Sequence, residues 1–236
     1  MKTLAIITAR GGSKRIPRKN IKAFNGIPII FYPIQAAIAS GLFDEVMVST
    51  EDEQIAEIAR SYGASVPFMR SAETADDYAT TADVIIEVLN MYQQKKDMHF
   101  DHVCCMYPTA PFATAELLKT AYEKLIYSKR DCIVPIVPFD YPIQRALVFE
   151  GERVKMHTPE FAEQRSQDLV KAYHDSGQFY WLRSEAFLKT RSIWGDNTGA
   201  LILSKLEAHD IDTPDDWQVA EFKYKLKNEA LINIQS

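Results

Sequence analysis

The sequence predicts an α/β fold, a mainly parallel sheet flanked by helices on both faces. Three observations carry this. Apolar runs at 3–8, 45–49, 102–107 and 132–137 lack the polar alternation of a half-exposed sheet. Longer stretches with helical spacing separate them, at 28–40, 52–62, 80–96, 114–128 and 215–228. A chain of 236 residues with 47% apolar side chains can bury one large core. Buried strands spaced by helices give a Rossmann-like sheet, whose ligands sit beyond the carboxyl ends of the strands.

In chain order, Leu4-Ala5-Ile6-Ile7 forms the first strand and delivers a Gly11-Gly12 turn. Ile55, Ala56, Ile58, Ala59 and Tyr62 form a helical stripe, with Thr50-Glu51-Asp52 supplying its N-cap. Pro138, Pro142 and Pro159 then break the rhythm. Short segments at 146–149 and 153–157 predict a small antiparallel insertion. We expect a single domain over 1–236, with 138–176 forming an insertion or dimerisation arm and the chain forming a homodimer. Strands return at 177–182 and 200–203, Thr213-Pro214 opens the last helix, and the tail beyond Lys227 is expected to fray. The loop at 10–20, Ser49-Thr50-Glu51-Asp52 and Pro108-Thr109-Ala110-Pro111 all follow strand ends, so one cleft is expected to collect them.

A net charge of −5 argues against nucleic acid as a partner. No apolar run reaches the length of a membrane span, and no leader precedes the first strand. Cys104, Cys105 and Cys132 sit in apolar runs without zinc spacing and read as reduced thiols. The expected location is cytoplasmic, with no membrane partner. The five histidines pair with no Ser or Cys in a nucleophile arrangement.

Residues 9–20, Ala-Arg-Gly-Gly-Ser-Lys-Arg-Ile-Pro-Arg-Lys-Asn, carry the chemistry. Glycines let backbone donors approach an oxyanion, and Arg10, Lys14, Arg15, Arg18 and Lys19 can neutralise several negative charges. The stretch reads as a polyphosphate loop, although it fits neither the P-loop nor the dinucleotide fingerprint. A solvated basic loop is the plainer alternative. Far along the chain, Asp210 and Asp212 alternate around Ile211, so both carboxylates face one side, a half-shell for Mg²⁺ opposite phosphates. Asp215 and Asp216 read as helix-dipole acids. Arg70 could meet a pyrimidine carbonyl and backbone near Ala79 its amine, while a capped helix start at Thr80 or Thr81 is the cheaper account. Arg165 could fork onto a carboxylate, with a surface loop leading into a core strand as the alternative.

These residues resemble the sugar-acid cytidylyltransferases, the synthetases of CMP-sialic acid, CMP-KDO and related sugars. The likeness lies in Ala9-Arg10-Gly11-Gly12-Ser13-Lys14 with Pro17-Arg18-Lys19-Asn20. It recurs at Arg70 through Ala79-Thr80, at Gln164-Arg165-Ser166-Gln167, at Tyr173 through Tyr180, and at Asp210-Ile211-Asp212-Thr213-Pro214. It implies a nucleotide-diphospho-sugar transferase type of fold and CTP bound by Ala9, Arg10, Gly11, Gly12, Ser13, Lys14, Lys19, Asn20, Arg70, Ala79 and Thr80. Mg²⁺ would be held by Asp210 and Asp212, with Arg10, Lys14 and Asp212 catalytic. A nonulosonic acid would be held by Thr81, Tyr107, Gln144, Arg165, Gln167, His174 and Tyr180. Tyr107 stands where sialic-acid members have Gln, and Ser176 where they have Asn, which likens the chain to the pseudaminic acid branch. A CMP-sialic acid or CMP-KDO synthetase is the alternative enzyme, and a nucleotide-binding regulatory protein the alternative from another class.

Overall fold

The computed structural model describes residues 1–235, with side chains through Lys227. The chain begins with β1 (Thr3–Thr8), a small hairpin of β2 (Ala23–Phe24) and β3 (Ile27–Pro28), α1 (Phe31–Ser40), β4 (Glu45–Ser49) and α2 (Glu53–Ser61). It continues through α3 (Ala72–Ala75), α4 (Thr81–Lys96), β5 (His102–Met106), α5 (Ala115–Tyr127) and β6 (Cys132–Pro138). A second hairpin, β7 (Leu147–Glu150) and β8 (Arg153–Met156), precedes β9 (Tyr173–Asp175) and β10 (Phe179–Arg183). Then come α6 (Ser184–Thr190), β11 (Thr198–Ile202) and α7 (Pro214–Gln235). Beyond Lys227, where fraying is expected, the backbone is helical through Gln235, and the side chains there lie outside the described residues.

The main sheet runs in the order β11-β6-β10-β5-β1-β4, with β9 pairing onto β6. β1 is parallel to both β4 and β5, and β6 is parallel to β11, while β10 runs antiparallel between β5 and β6. The sheet is therefore mainly parallel, as the unalternated strands predict. Its apolar residues supply two cores. Ala5, Ile7, Val48, Cys104 and Met106 face α1, α2 and α5, while Leu4, Ile6, Met47, Val103 and Cys105 face α4 and α6. That period of two, inside runs apolar on both sides, is why the strands read as continuous.

The order reverses about β1: the chain crosses from β1 to β4 on one side and returns to β5 on the other. Open α/β sheets form their crevice at such a switch point. A third cluster closes it. Ile16 of the loop, Ile211 between the two aspartates, Phe112 and Trp217 of α7 are buried together with Phe24 and Ile29. This apolar contact brings residues about 190 positions apart to one cleft.

Two boundaries differ most from expectation: α7 extends to Gln235, past the expected end at 228, and α1 starts late. The helix predicted from residue 28 starts at Phe31, because Asn25 (φ 48°) and Gly26 (φ 86°) turn a two-residue hairpin first. Both central residues have positive φ, as the favoured Asn-Gly hairpin turn requires. Caps fix the other starts: Asp52 accepts from the Ile55 N–H at 3.0 Å and Thr114 from Leu117 at 3.2 Å. Thr213 and Asp216 cap α7 reciprocally.

Candidate active site

A cavity of about 590 Å³ opens beyond the carboxyl ends of β1 and β5. Arg10, Ser13, Lys14, Lys19 and Asn20 line it from the first loop, and Arg70, Ala79, Thr80 and Thr81 from the segment entering α4. Tyr107 lines it from the end of β5, and Asp210 and Asp212 from the approach to α7. Most of the expected phosphate, base and metal residues thus line one space, while Ala9, Gly11 and Gly12 of the same loop do not line it. Ser49 to Asp52, expected in the same cleft, instead stand behind the loop and brace it.

That bracing is specific. Glu51 Oε1 accepts the Gly11 N–H at 2.6 Å, so this backbone donor is turned toward a carboxylate of the protein. A Cβ on Gly11 would lie 2.6 Å from Asp52 Oδ2, which explains the glycine by close approach. Gly12 has nothing within 4 Å of the corresponding point. Arg18, at φ 54°, forks onto Asp52, and that hydrogen bond holds the Asp52 carboxyl below the usual range. Buried Asn20 donates from Nδ2 to the Arg10 carbonyl at 2.8 Å, fixing the loop's entry, and buried Ala9 donates its N–H to Ser49.

On the inner wall Arg70 is buried. Its Nε donates to Ser49 Oγ at 2.9 Å and its Nη2 to the Ser49 carbonyl at 2.5 Å. Burial lowers its pKa, and Glu51 and Glu87 partly restore it. With two donors committed to β4, the guanidinium is oriented before any ligand arrives. Thr80 caps α4 through a reciprocal pair with Asp83, so its hydroxyl serves the helix. The Ala79 N–H is taken by Asp76 Oδ1 at 2.7 Å, which leaves the carbonyl as the polar group it can offer a base.

Asp212 Oδ1 meets Arg15 at 2.9 Å and Lys19 at 3.4 Å. Asp210 is different. Protein packed behind it, then the Asp212 carboxylate, raise its carboxyl above the ordinary range, with Asp175 and Asp216 adding to this and Lys19 opposing it. A carboxylate crowded by others and open to a cleft suits a hard cation. Among the described residues no group of three or more His, Cys, Asp or Glu could hold a metal by itself. The pair thus fits an ion that completes its shell with substrate oxygens and water, as Mg²⁺ does.

The sugar-side candidates divide. The Tyr107 hydroxyl lies 3.0 Å from Thr81 Oγ1, and its ring meets Tyr180 edge-on at 5.6 Å. Buried Tyr180 lies one contact behind the cavity wall and donates to Asp175 Oδ2 at 2.5 Å. Burial raises the pKa of both phenols, and so keeps them neutral donors. Gln144, Arg165, Gln167 and His174 lie outside the cavity lining. Arg165, Gln167 and His174 are exposed, and Gln144 donates to the Val170 carbonyl at 2.8 Å.

The family model described as Cytidylyltransferase matches residues 4–203. The chain belongs to this family. It is 44% identical over 231 residues to a pseudaminic acid cytidylyltransferase of Campylobacter jejuni, covering 98% of this chain and 99% of that one. A CMP-N,N'-diacetyllegionaminic acid synthase of Legionella pneumophila is 35% identical, over 98% and 100% of the two chains. Among solved structures, a CMP:2-keto-3-deoxy-manno-octonic acid synthetase complexed with CTP superposes with a TM-score of 0.68 at 16% identity. It covers 97% of this chain and 100% of that one, and shows the shared fold. Among the described residues, no helix is long and apolar enough to cross a membrane.

Three residues act on the site in ways the sequence reading does not assign: Glu51 and Asp52 read there as a helix cap and cleft residues, and Asp77 has no role in it. Glu51 and Asp52 face the loop from 40 residues away in sequence, and Asp77 pairs with Arg10 and Lys14 across the cleft. Their signal is position: Glu51 and Asp52 follow a strand end beside the loop's own strand, and Asp77 lies between Arg70 and Ala79.

Proposed function

We propose that the protein transfers CMP from CTP to the anomeric hydroxyl of pseudaminic acid, giving CMP-pseudaminic acid and pyrophosphate. The observation that carries this is one cavity lined together by Arg10, Lys14, Arg15 and Lys19 of loop 10–20, by the Asp210–Asp212 pair and by buried Arg70. The choice of sugar rests on the 44% identity, over nearly the whole of both chains, to the Campylobacter jejuni enzyme.

In this reading Arg10 and Lys14 neutralise the phosphates, and Ser13 and the Gly11-Gly12 backbone shape the loop around them. Asn20 and Glu51 hold that loop, so its cations need little reorganisation when charge develops. Arg70 and the Ala79 carbonyl read the cytosine, and Thr80 places Ala79 by capping α4. The sugar hydroxyl attacks the α-phosphorus, the bond to the β-phosphate breaks, and pyrophosphate leaves. Catalysis is mainly positioning and charge neutralisation, as in other phosphoryl transfers. Asp210 and Asp212 would hold Mg²⁺, which supplies further neutralisation at the phosphates when bound. Lys19 and Arg15 keep Asp212 oriented toward the cleft.

Two copies pair through the 138–176 arm in this proposal. Leu147, Phe149 and Val154 are 65%, 80% and 53% exposed on the β7–β8 hairpin, an apolar surface that a second copy would cover. Gln144, Arg165, Gln167 and His174, outside the cavity of their own chain, would then serve the sugar side of the partner's. The test is turnover of CTP with pseudaminic, legionaminic, sialic and KDO acids, read by the mass of the CMP product. A preference for another acid moves the specificity. No pyrophosphate release with any acid removes the enzymatic reading.

A further inference from the structure

Both cations assigned to the phosphates already hold one carboxylate of the protein. Arg10 Nη1 donates to Asp77 Oδ1 at 2.9 Å and to the Asp76 carbonyl at 3.1 Å. The Lys14 ammonium pairs with the other oxygen of the same carboxylate. Asp77 thus bridges the two cations with two oxygens, as two oxygens of a phosphate chain would. Lys14 foremost, with Arg10 behind it, holds the Asp77 carboxyl below its ordinary range.

Another carboxylate on the loop, Glu51, differs in kind. It meets the Gly11 backbone from behind, its Oε2 is buried, and it does not line the cavity. Asp77 lines the cavity, and its side chain is 42% exposed. Beyond the Arg10 bond to the Asp76 carbonyl, its turn is also held by bonds that involve neither cation. Asp76 Oδ1 accepts from the Tyr78 and Ala79 N–H groups at 2.8 and 2.7 Å, and the Thr80–Asp83 cap follows at once. The turn can therefore stay folded while Asp77 releases its partners. Two cations shared by one carboxylate leave net positive charge, so a polyphosphate of several negative charges outbids Asp77 for them.

We propose that Asp77 is an internal competitor for the phosphate site. It holds Arg10 and Lys14 in place before nucleotide binds, yields them to the triphosphate, and reclaims them as pyrophosphate departs. This rests on reading loop 10–20 as the triphosphate site. The contact is ionic and partly exposed, so its effect falls as salt rises.

The experiment is calorimetric titration of the full chain and of Asp77→Asn with CTP, inorganic pyrophosphate and cytidine, at low and high ionic strength. Asp77→Asn should bind CTP and pyrophosphate on the order of three- to tenfold more tightly at low salt, as expected from losing two partly exposed ion pairs. The gap should narrow at high salt, cytidine affinity should not change, and product inhibition by pyrophosphate should strengthen by a similar factor. Unchanged or weaker binding of both phosphates by the variant, with the unaltered protein binding them normally, overturns the competitor role and leaves the site's function standing. Failure of the unaltered protein to bind either phosphate overturns the phosphate-site reading and this proposal with it.

Discussion

Arg10, Lys14, Arg70 and Asp212 stand on segments that leave buried strands or pack into one apolar cluster. Gln144, Arg165, Gln167 and His174 stand on an arm in which Leu169 is the one buried residue between 139 and 175. The first set converges because its positions are fixed by core contacts: β1 and β5 set the loop ends, and Ile16, Ile211 and Trp217 pull the aspartates against the loop. The second set has little core to fix it: His174 lies on β9, which pairs onto β6 outside the main strand order, and the rest rely on a two-stranded hairpin and short turns, which are marginal without something to pack on. We therefore propose that one chain completes the nucleotide half of the site and that a second copy completes the sugar half. Variants that separate nucleotide from sugar effects can break or sharpen this contrast.

The largest effect should come from Asp212→Asn. The near-isosteric amide keeps the fold but removes one of the two carboxylates that would hold Mg²⁺, and turnover should fall on the order of 10²- to 10³-fold. EDTA should abolish activity in the unaltered protein. Near-normal turnover of Asp212→Asn in limiting Mg²⁺ would remove Asp212 from the metal site and weaken the claim that the nucleotide half is complete in one chain.

Next comes the brace behind the loop, tested by a pair of glycines. Gly11→Ala puts a methyl against Asp52 Oδ2, and so should cost about 1–3 kcal/mol of overpacking and disturb the Arg18–Asp52 fork. CTP affinity should weaken with it. Gly12→Ala, with open space around it, should bind CTP nearly as the unaltered protein does. Equal behaviour of the two variants would mean that the loop is not held from behind. The same brace predicts an acid limit. The folded Asp52 carboxyl lies below its unfolded value, so its contribution is present above the ordinary carboxylate pKa and is lost as pH falls through the depressed one. Asp52→Asn should flatten that part of the stability profile in acid.

Much of this half is legible in the sequence, for physical reasons. β1, β4 and β5 fall within a residue of the apolar runs, because their interiors are apolar on both faces and polar residues such as Glu45, Ser49 and His102 fall only at their ends. The cations of the loop and the Asp-Ile-Asp alternation are local patterns, so they too can be read directly. The β2–β3 hairpin is hidden by the apolar Ile27-Pro28-Ile29-Ile30, which reads as the start of a helix, although Asn25-Gly26 marks the turn. The bracing by Glu51 and the Asp77 bridge are pairings across 40 or more residues, set by strand order rather than by any local pattern. The arm is hardest to read, since exposed residues carry no periodicity that a core would impose.

A smaller effect, on the arm alone, should follow Phe149→Asp. Charge on the exposed hairpin should convert the expected dimer to a monomer in sedimentation and leave CTP affinity unchanged. The kcat/KM for the sugar acid should drop by about tenfold, comparable to losing one well-placed contact. A monomeric unaltered protein with full activity would end the proposal that a second copy completes the site. A Phe149→Asp monomer that uses the sugar normally would confine the arm to assembly.

The smallest effect should separate sugars rather than halves. Tyr107 lines the cavity, shares a hydrogen bond with Thr81, and packs edge-on against Tyr180. Tyr107→Gln replaces an aromatic wall by an amide and cuts the link to Tyr180, so pseudaminic acid should lose ground to sialic acid by about 1–2 kcal/mol in the ratio of kcat/KM values. Thr81→Val is the companion. It removes the hydroxyl partner while sparing the ring, so it should shift the ratio less than Tyr107→Gln if the aromatic face is what the sugar meets. A larger shift from Thr81→Val would transfer discrimination to the hydroxyl pair. Equal ratios in all three proteins would make Tyr107 packing behind the nucleotide half, and the arm would then carry the whole choice of sugar.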